Sequence, residues 1–210
     1  MHWGVLANYW GALLTGLFVT VQITVCAALG AFILGIILGC LHQMPSYFMR
    51  CCIDAYVEFI RNIPAIVKVF FLYFVMGWEG WQSAVVGLAI HQSAYICDAI
   101  DSGFRAISRE QSEASWALGH SHFEIFRFVL LPQIWVVSLP SITNQLIEVL
   151  KNSSIVMLIG VQELTFQAQQ IETDTFRGFE AASVVTLIYI VLAFAIVGAA
   201  NWFQRKVTRR

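Results

Sequence analysis

Several side chains able to do ionic or acid–base chemistry lie inside otherwise apolar stretches, where a charge is costly and faces either the protein interior or water. Glu58 and Arg61 stand three apart, and Lys68 follows seven residues later. On one continuous helix that spacing puts all three on roughly one face. Glu148 and Lys151 are again three apart. Each pair can neutralise itself and do no more than stabilise a bundle, which is the favoured reading for Glu58 with Arg61 near the end of their segment. Lys68 and Glu148 fall near the middle of their apolar segments, at about 1.5 Å of rise per residue. Two readings stand for them: they pair with each other across helices, or they hold the two charged ends of a zwitterion. Asn144 and Gln145, one turn before Glu148, add neutral hydrogen-bonding groups. The expected pathway residues are therefore Lys68, Asn144, Gln145 and Glu148, with Arg61 and Lys151 beside them.

A catalytic reading has less to stand on. His91 and Asp98 are seven apart and share a helix face, with Asp101 close by, which is the one constellation suited to an intramembrane enzyme. No nucleophile motif or metal-ligand cluster accompanies them, so a satisfied polar contact is the plainer explanation. The five cysteines, Cys26, Cys40, Cys51, Cys52 and Cys97, show no metal-ligand spacing and read as small apolar residues. No metal site is expected.

The elements that must position these residues are membrane spans. Of 210 residues, 59% are hydrophobic and 12% charged, about half the charged share of a soluble domain. No Asp, Glu, Lys or Arg precedes Arg50, and charge-free runs occupy Gly80 to Cys97, Phe128 to Ile147 and Ala181 to Gln204. Ile63 to Trp78 is apolar apart from Lys68. Since a helix needs about 20 apolar residues to cross a bilayer, the expected fold is an all-α integral membrane protein. It is read as one domain, 1–210, with five spans near 11–41, 55–78, 81–104, 129–159 and 181–204. The first run lacks a basic leader and exceeds a signal-peptide core, so it is read as part of the mature protein.

Charge placement gives the orientation. With the N-terminus outside, the inner segments carry Arg50, Arg105, Arg109, Arg127, Arg205, Lys206, Arg209 and Arg210, and the outer ones carry only Arg177. Positive residues gather on the cytoplasmic side, so the C-terminus is expected inside. Trp3, Trp10, Trp78, Trp81 and Trp202 fall near span ends, at headgroup level. A stripe of small residues, Ala27, Ala31, Gly35 and Gly39, offers close helix packing, either within the chain or against another subunit. The formal net charge of −1 argues for no partner, nucleic acid included; the spans themselves imply membrane lipid.

Between the third and fourth expected spans, residues 108–131 read as two short helices. Ser108 with Gln111 and Ser121 with Glu124 have capping-box spacing, and Gly119 is the expected stop between the helices. The second helix runs toward Leu131 and Pro132, where proline bends or ends it. Ala114, Trp116, Ala117 and Leu118 among polar neighbours suit docking into another protein's groove.

Glu113-Ala114-Ser115, then Gly119, then Val129-x-Leu131-Pro132 resembles the EAA loop of bacterial ATP-binding cassette (ABC) importer permeases. Ser115 stands at a usual alanine, Val129 at a usual isoleucine, and Glu110 at a common glycine. Tyr56 to Pro64, Ser93-Ala94-Tyr95, Leu131-Pro132-Gln133, Asn144 to Ile147 and Lys151 to Ser154 are similar to the branch that carries polar amino acids. That branch more often has a neutral amide near Lys68, a glutamate and an arginine at Asp98 and Asp101, and Gly-Thr at Asn62 and Ile63. The resemblance implies a bacterial inner-membrane subunit without catalysis or cofactor of its own. Glu113, Ala114, Ser115, Gly119, Leu131 and Pro132 would couple it to a cytoplasmic ATPase dimer that holds the ATP. A second permease subunit, the same chain or another, and a periplasmic or lipid-anchored amino-acid-binding protein would complete the importer. The Arg-Asn-Ile-Pro and Lys-Asn-Ser-Ser segments look like those of glutamate/aspartate permeases; glutamine or a basic amino acid is the alternative cargo, and a membrane scaffold the alternative function.

Overall fold

The computed structural model describes residues 5–208; Trp3, Arg209 and Arg210 lie outside the described residues. Among the described residues the chain is helical and has no strand. After a single turn at Val5–Asn8, α1 spans Trp10–His42. It is apolar on all sides, as a membrane helix is. Its outward side chains, including Phe18, Leu29 and Ile33, are exposed, whereas Ala27, Ala31, Gly35 and Gly39 are buried. The small-residue stripe serves packing within the chain: a Cβ on Gly35 would sit 2.7 Å from the Ile96 side chain and 2.9 Å from the Ser93 carbonyl, and one on Gly39 would sit 2.7 Å from Ile100.

The second expected span is not one helix. Ser46 caps α2 (Tyr47–Asn62) by accepting from the Met49 amide. The helix ends at Ile63, which is extended at φ −101° and ψ 129°, because Pro64 crowds the preceding residue out of the helical region. The chain resumes as α3 (Ala65–Phe70) and a π-helical turn, Phe71–Val75. The 55–78 helix is thus corrected to two pieces with a break between Arg61 and Lys68. The common face expected for Glu58, Arg61 and Lys68 does not exist.

The central helix is α4 (Gly80–Arg105), which packs against α1, α2, α3 and the later α6. Its core neighbours include Ile23 and Ala27 from α1, Val69 from α3, and Val149 beyond. After α5 (Arg109–Ala117), a short helix at His122–Glu124 and a π-helical turn at Ile125–Leu130 lead directly into α6 (Leu131–Asn152). The widened turn immediately precedes Pro132, which lacks an N–H and whose ring crowds the preceding turn. A 3₁₀ stretch, Ser153–Ile159, continues α6 to Gly160 at φ +78°. The second half of the expected loop 108–131 therefore merges with the fourth span into one helical run, His122–Ile159, while α5 stays separate.

α7 (Leu164–Thr175) is pinned by the buried Glu163, whose carboxylate accepts from the Thr165 and Phe166 amides and the Tyr189 hydroxyl. Burial pushes this carboxyl above the usual glutamate range, and the donated hydrogen bonds pull it back. α8 (Gly178–Thr208) closes the chain. Among the described residues, four helical segments are long and apolar enough to cross a membrane: Trp10–His42, Gly80–Arg105, His122–Ile159 and Gly178–Lys206; Ala65–Val75 is apolar but shorter.

Candidate functional site

Two sets of residues carry the site. The first is the turn between α4 and α6. Ser108 caps α5 by accepting from the Glu110 amide rather than by a box with Gln111. The Gln111 side chain instead accepts from Gln133, tying α5 to the first turns of α6. Gly119 takes the left-handed conformation at φ +87°, which glycine adopts without a Cβ penalty. Ser121 and Glu124 form the complete capping box that their spacing suggests. Trp116 packs edge-on against His122 across this corner, with ring centroids 4.9 Å apart. Glu113 and Ala114 are exposed, Ser115 bonds back to the Gln111 carbonyl, and Leu131 and Pro132 open α6. The corner presents Leu118, 79% exposed, together with Phe123. Both are apolar side chains left open on an otherwise polar turn.

The second set lies on α2, α3, α4 and α6. Lys68 donates to the Ile63 carbonyl, left free by the break before Pro64, and lies 3.1 Å from His91 Nδ1. Since an ammonium only donates, that imidazole nitrogen accepts. Glu148 takes its hydrogen bond from Lys151, at 2.7 Å. Lys68 and Glu148 therefore do not pair with each other, and Lys68 has no carboxylate within 4.0 Å among the described residues. Gln145 accepts from the buried Gln92 and serves to join α6 to α4, while Asn144 is exposed. Arg61 pairs with Asp98 across the α2–α4 contact, not with Glu58, and stands over the Tyr95 ring.

Sequence reasoning missed most of this tertiary pairing. His42 bridges Asp54 and Asp101, at 2.9 Å each, and Arg105 also reaches Asp101. These groups line a cleft of about 500 Å³ together with Glu58, Arg61 and Asp98. The available signal was the run His91, Tyr95, Asp98 at helical spacing; its partners are supplied by elements remote in sequence.

The family model for binding-protein-dependent transport system inner membrane components matches residues 31–209, most of the chain. The chain belongs to this family. The probable glutamine ABC transporter permease protein GlnM of Bacillus subtilis (strain 168) is 28% identical over 100% of this chain and 99% of its own length. The glutamate/aspartate import permease protein GltJ of Escherichia coli (strain K12) is 27% identical over 95% and 89%. A crystal structure of an amino acid ABC transporter with histidines superposes with a TM-score of 0.87 at 29% identity, covering 96% of each chain. The permease is thus a subunit of an amino acid ABC importer, an inner membrane component with no catalytic chemistry of its own, and the partner ATPase hydrolyses ATP. The enzyme alternative is corrected accordingly: His91 is tied to Lys68, Asp98 to Arg61, and Asp101 to His42 and Arg105.

Proposed function

We propose that this permease carries an acidic amino acid, glutamate or aspartate, and that Lys68 holds one of its carboxylates. The observation that carries this reading is the missing counter-ion: of Arg61, Lys68 and Lys151, the two others each have a carboxylate partner and Lys68 has none among the described residues. Its remaining contacts, a carbonyl and a neutral imidazole nitrogen, orient the ammonium without neutralising it. An unpaired charge in the membrane is a functional group by default, and broken helices characteristically build such sites. Asn144, Glu148 and Lys151, on the exposed side of α6, complete the pathway, with Arg61 beside it.

The end of α2, α3 and the π-helical turn together make the fifth crossing, with the N-terminus outside and the C-terminus inside, in keeping with the basic residues flanking the other spans. Glu113, Ala114, Ser115, Gly119, Leu131 and Pro132 then form the inner corner gripped by an ATPase dimer. A second permease subunit and an extracytoplasmic amino-acid-binding protein complete the importer. A basic amino acid is the second reading, favoured by Glu58, which faces the cleft and has no cationic partner among the described residues.

Uptake of labelled glutamate, glutamine and arginine by the reconstituted importer tests this. Lys68→Met is expected to lower glutamate uptake by at least about tenfold, the loss of one charge-assisted hydrogen bond, with assembly unchanged. Equal glutamate uptake by the variant and the parent rejects the assignment.

A further inference from the structure

The polar groups form a track along one side of α4. His91, beside Lys68, packs edge-on against Tyr95 at 5.3 Å; Arg61 stands 5.2 Å over the same Tyr95 ring and pairs with Asp98. From His91 to Asp98 is two helical turns, about 10 Å, toward the coupling corner. Beyond Asp98 the cleft opens, lined by Asp54, Glu58 and Asp101. The Arg61 and Asp98 side chains remain 44% and 47% exposed, although they join two packed helices. An ion pair so exposed on the wall of a cleft lined by charged side chains does not face lipid; it faces water or a partner along the permeation route. Arg61 has a second hold on α4 through Tyr95, so leaving Asp98 does not strand its charge.

We propose that the Arg61–Asp98 pair is the inner gate of this permease. Closed, it seals the route on the coupling-corner side of Lys68. Open, it separates α2 from α4 and joins the Lys68 region to the cleft. A substrate carboxylate released from Lys68 competes with Asp98 for Arg61 and favours opening. This last step rests on the reading that Lys68 holds a carboxylate; the gate itself does not.

The test uses the complete importer in proteoliposomes, with ATPase and binding protein, and whichever of glutamate, glutamine or arginine the parent takes up. The readout is molecules imported per ATP hydrolysed, with the amount of assembled complex measured beside it. Arg61→Gln combined with Asp98→Asn removes both charges and is expected to lower the ratio at least about fivefold, the lower end of measured couplings between sites. The exchanged pair, Arg61→Asp with Asp98→Arg, is expected to recover at least half of it. An unchanged ratio in the neutral double variant overturns the gate, as does a loss confined to assembly, which marks the pair as a brace between helices. Failure of the Lys68 reading looks different: Lys68→Met leaves glutamate uptake unaltered while the neutral double variant still lowers the ratio.

Discussion

Gly119→Val is expected to reduce ATP-driven uptake by at least about tenfold while the spans remain folded and the ATPase stays active. Gly119 sits at φ +87° with nothing within 4 Å of where a Cβ would point. The effect is therefore one of backbone conformation rather than collision. A β-branched residue resists the left-handed region by about 1–2 kcal/mol, and the corner relieves that strain by turning elsewhere. Relief moves Leu118 and swings α5 away from the Ser121–Glu124 capping box, which itself survives. On the proposed coupling role, a corner displaced in this way is expected to stop passing motion from the ATPase into the His122–Ile159 run. Uptake and ATP hydrolysis measured on the same proteoliposomes separate uncoupling from unfolding: the account requires hydrolysis without transport. Full uptake by Gly119→Val removes the coupling role from this corner.

The second large effect is on folding. Gly35→Leu places a branched side chain where even a Cβ lies 2.7 Å from Ile96 and 2.9 Å from the Ser93 carbonyl. The backbone oxygen cannot rotate away, so α1 must move off α4, the most extensive helix contact in the chain. Overpacking of a tight core typically costs about 1–3 kcal/mol. Here the displaced contact also carries Ala31, Ile96 and Ile100, and the expected outcome is loss of nearly all monodisperse protein in detergent. Gly198→Leu, with open space around its Cβ position on α8, is the control and should purify at the level of the parent. Equal yields from both variants would show that the stripe does not hold α1 to α4.

What was legible in the sequence is what depends on local pattern. The apolar run of α1 stands out because no charge precedes Arg50, and its small-residue stripe states in advance where a neighbour must approach. Gly119 and the Ser121–Glu124 box were legible because a left-handed stop and a cap are decided within a few residues. The Pro64 break was missed, although proline carries the signal, because hydropathy runs straight through Ile63 to Trp78. That single error put Lys68 on the same face as Glu58 and Arg61. The pairings of Arg61 with Asp98, His42 with Asp54 and Asp101, and Gln92 with Gln145 were out of reach for another reason. Each joins residues 12 to 59 positions apart, and helical periodicity says which face a residue occupies but not which helix that face meets.

The orientation and grip of the coupling corner are tested most directly by labelling a cysteine introduced at Leu118, in a background whose five native cysteines are replaced. A membrane-impermeant maleimide applied to sealed vesicles of either orientation should react only when the cytoplasmic face is outward, and the bound ATPase should shield the site. Reaction from the extracytoplasmic side, or full reactivity beneath a bound ATPase, contradicts the account.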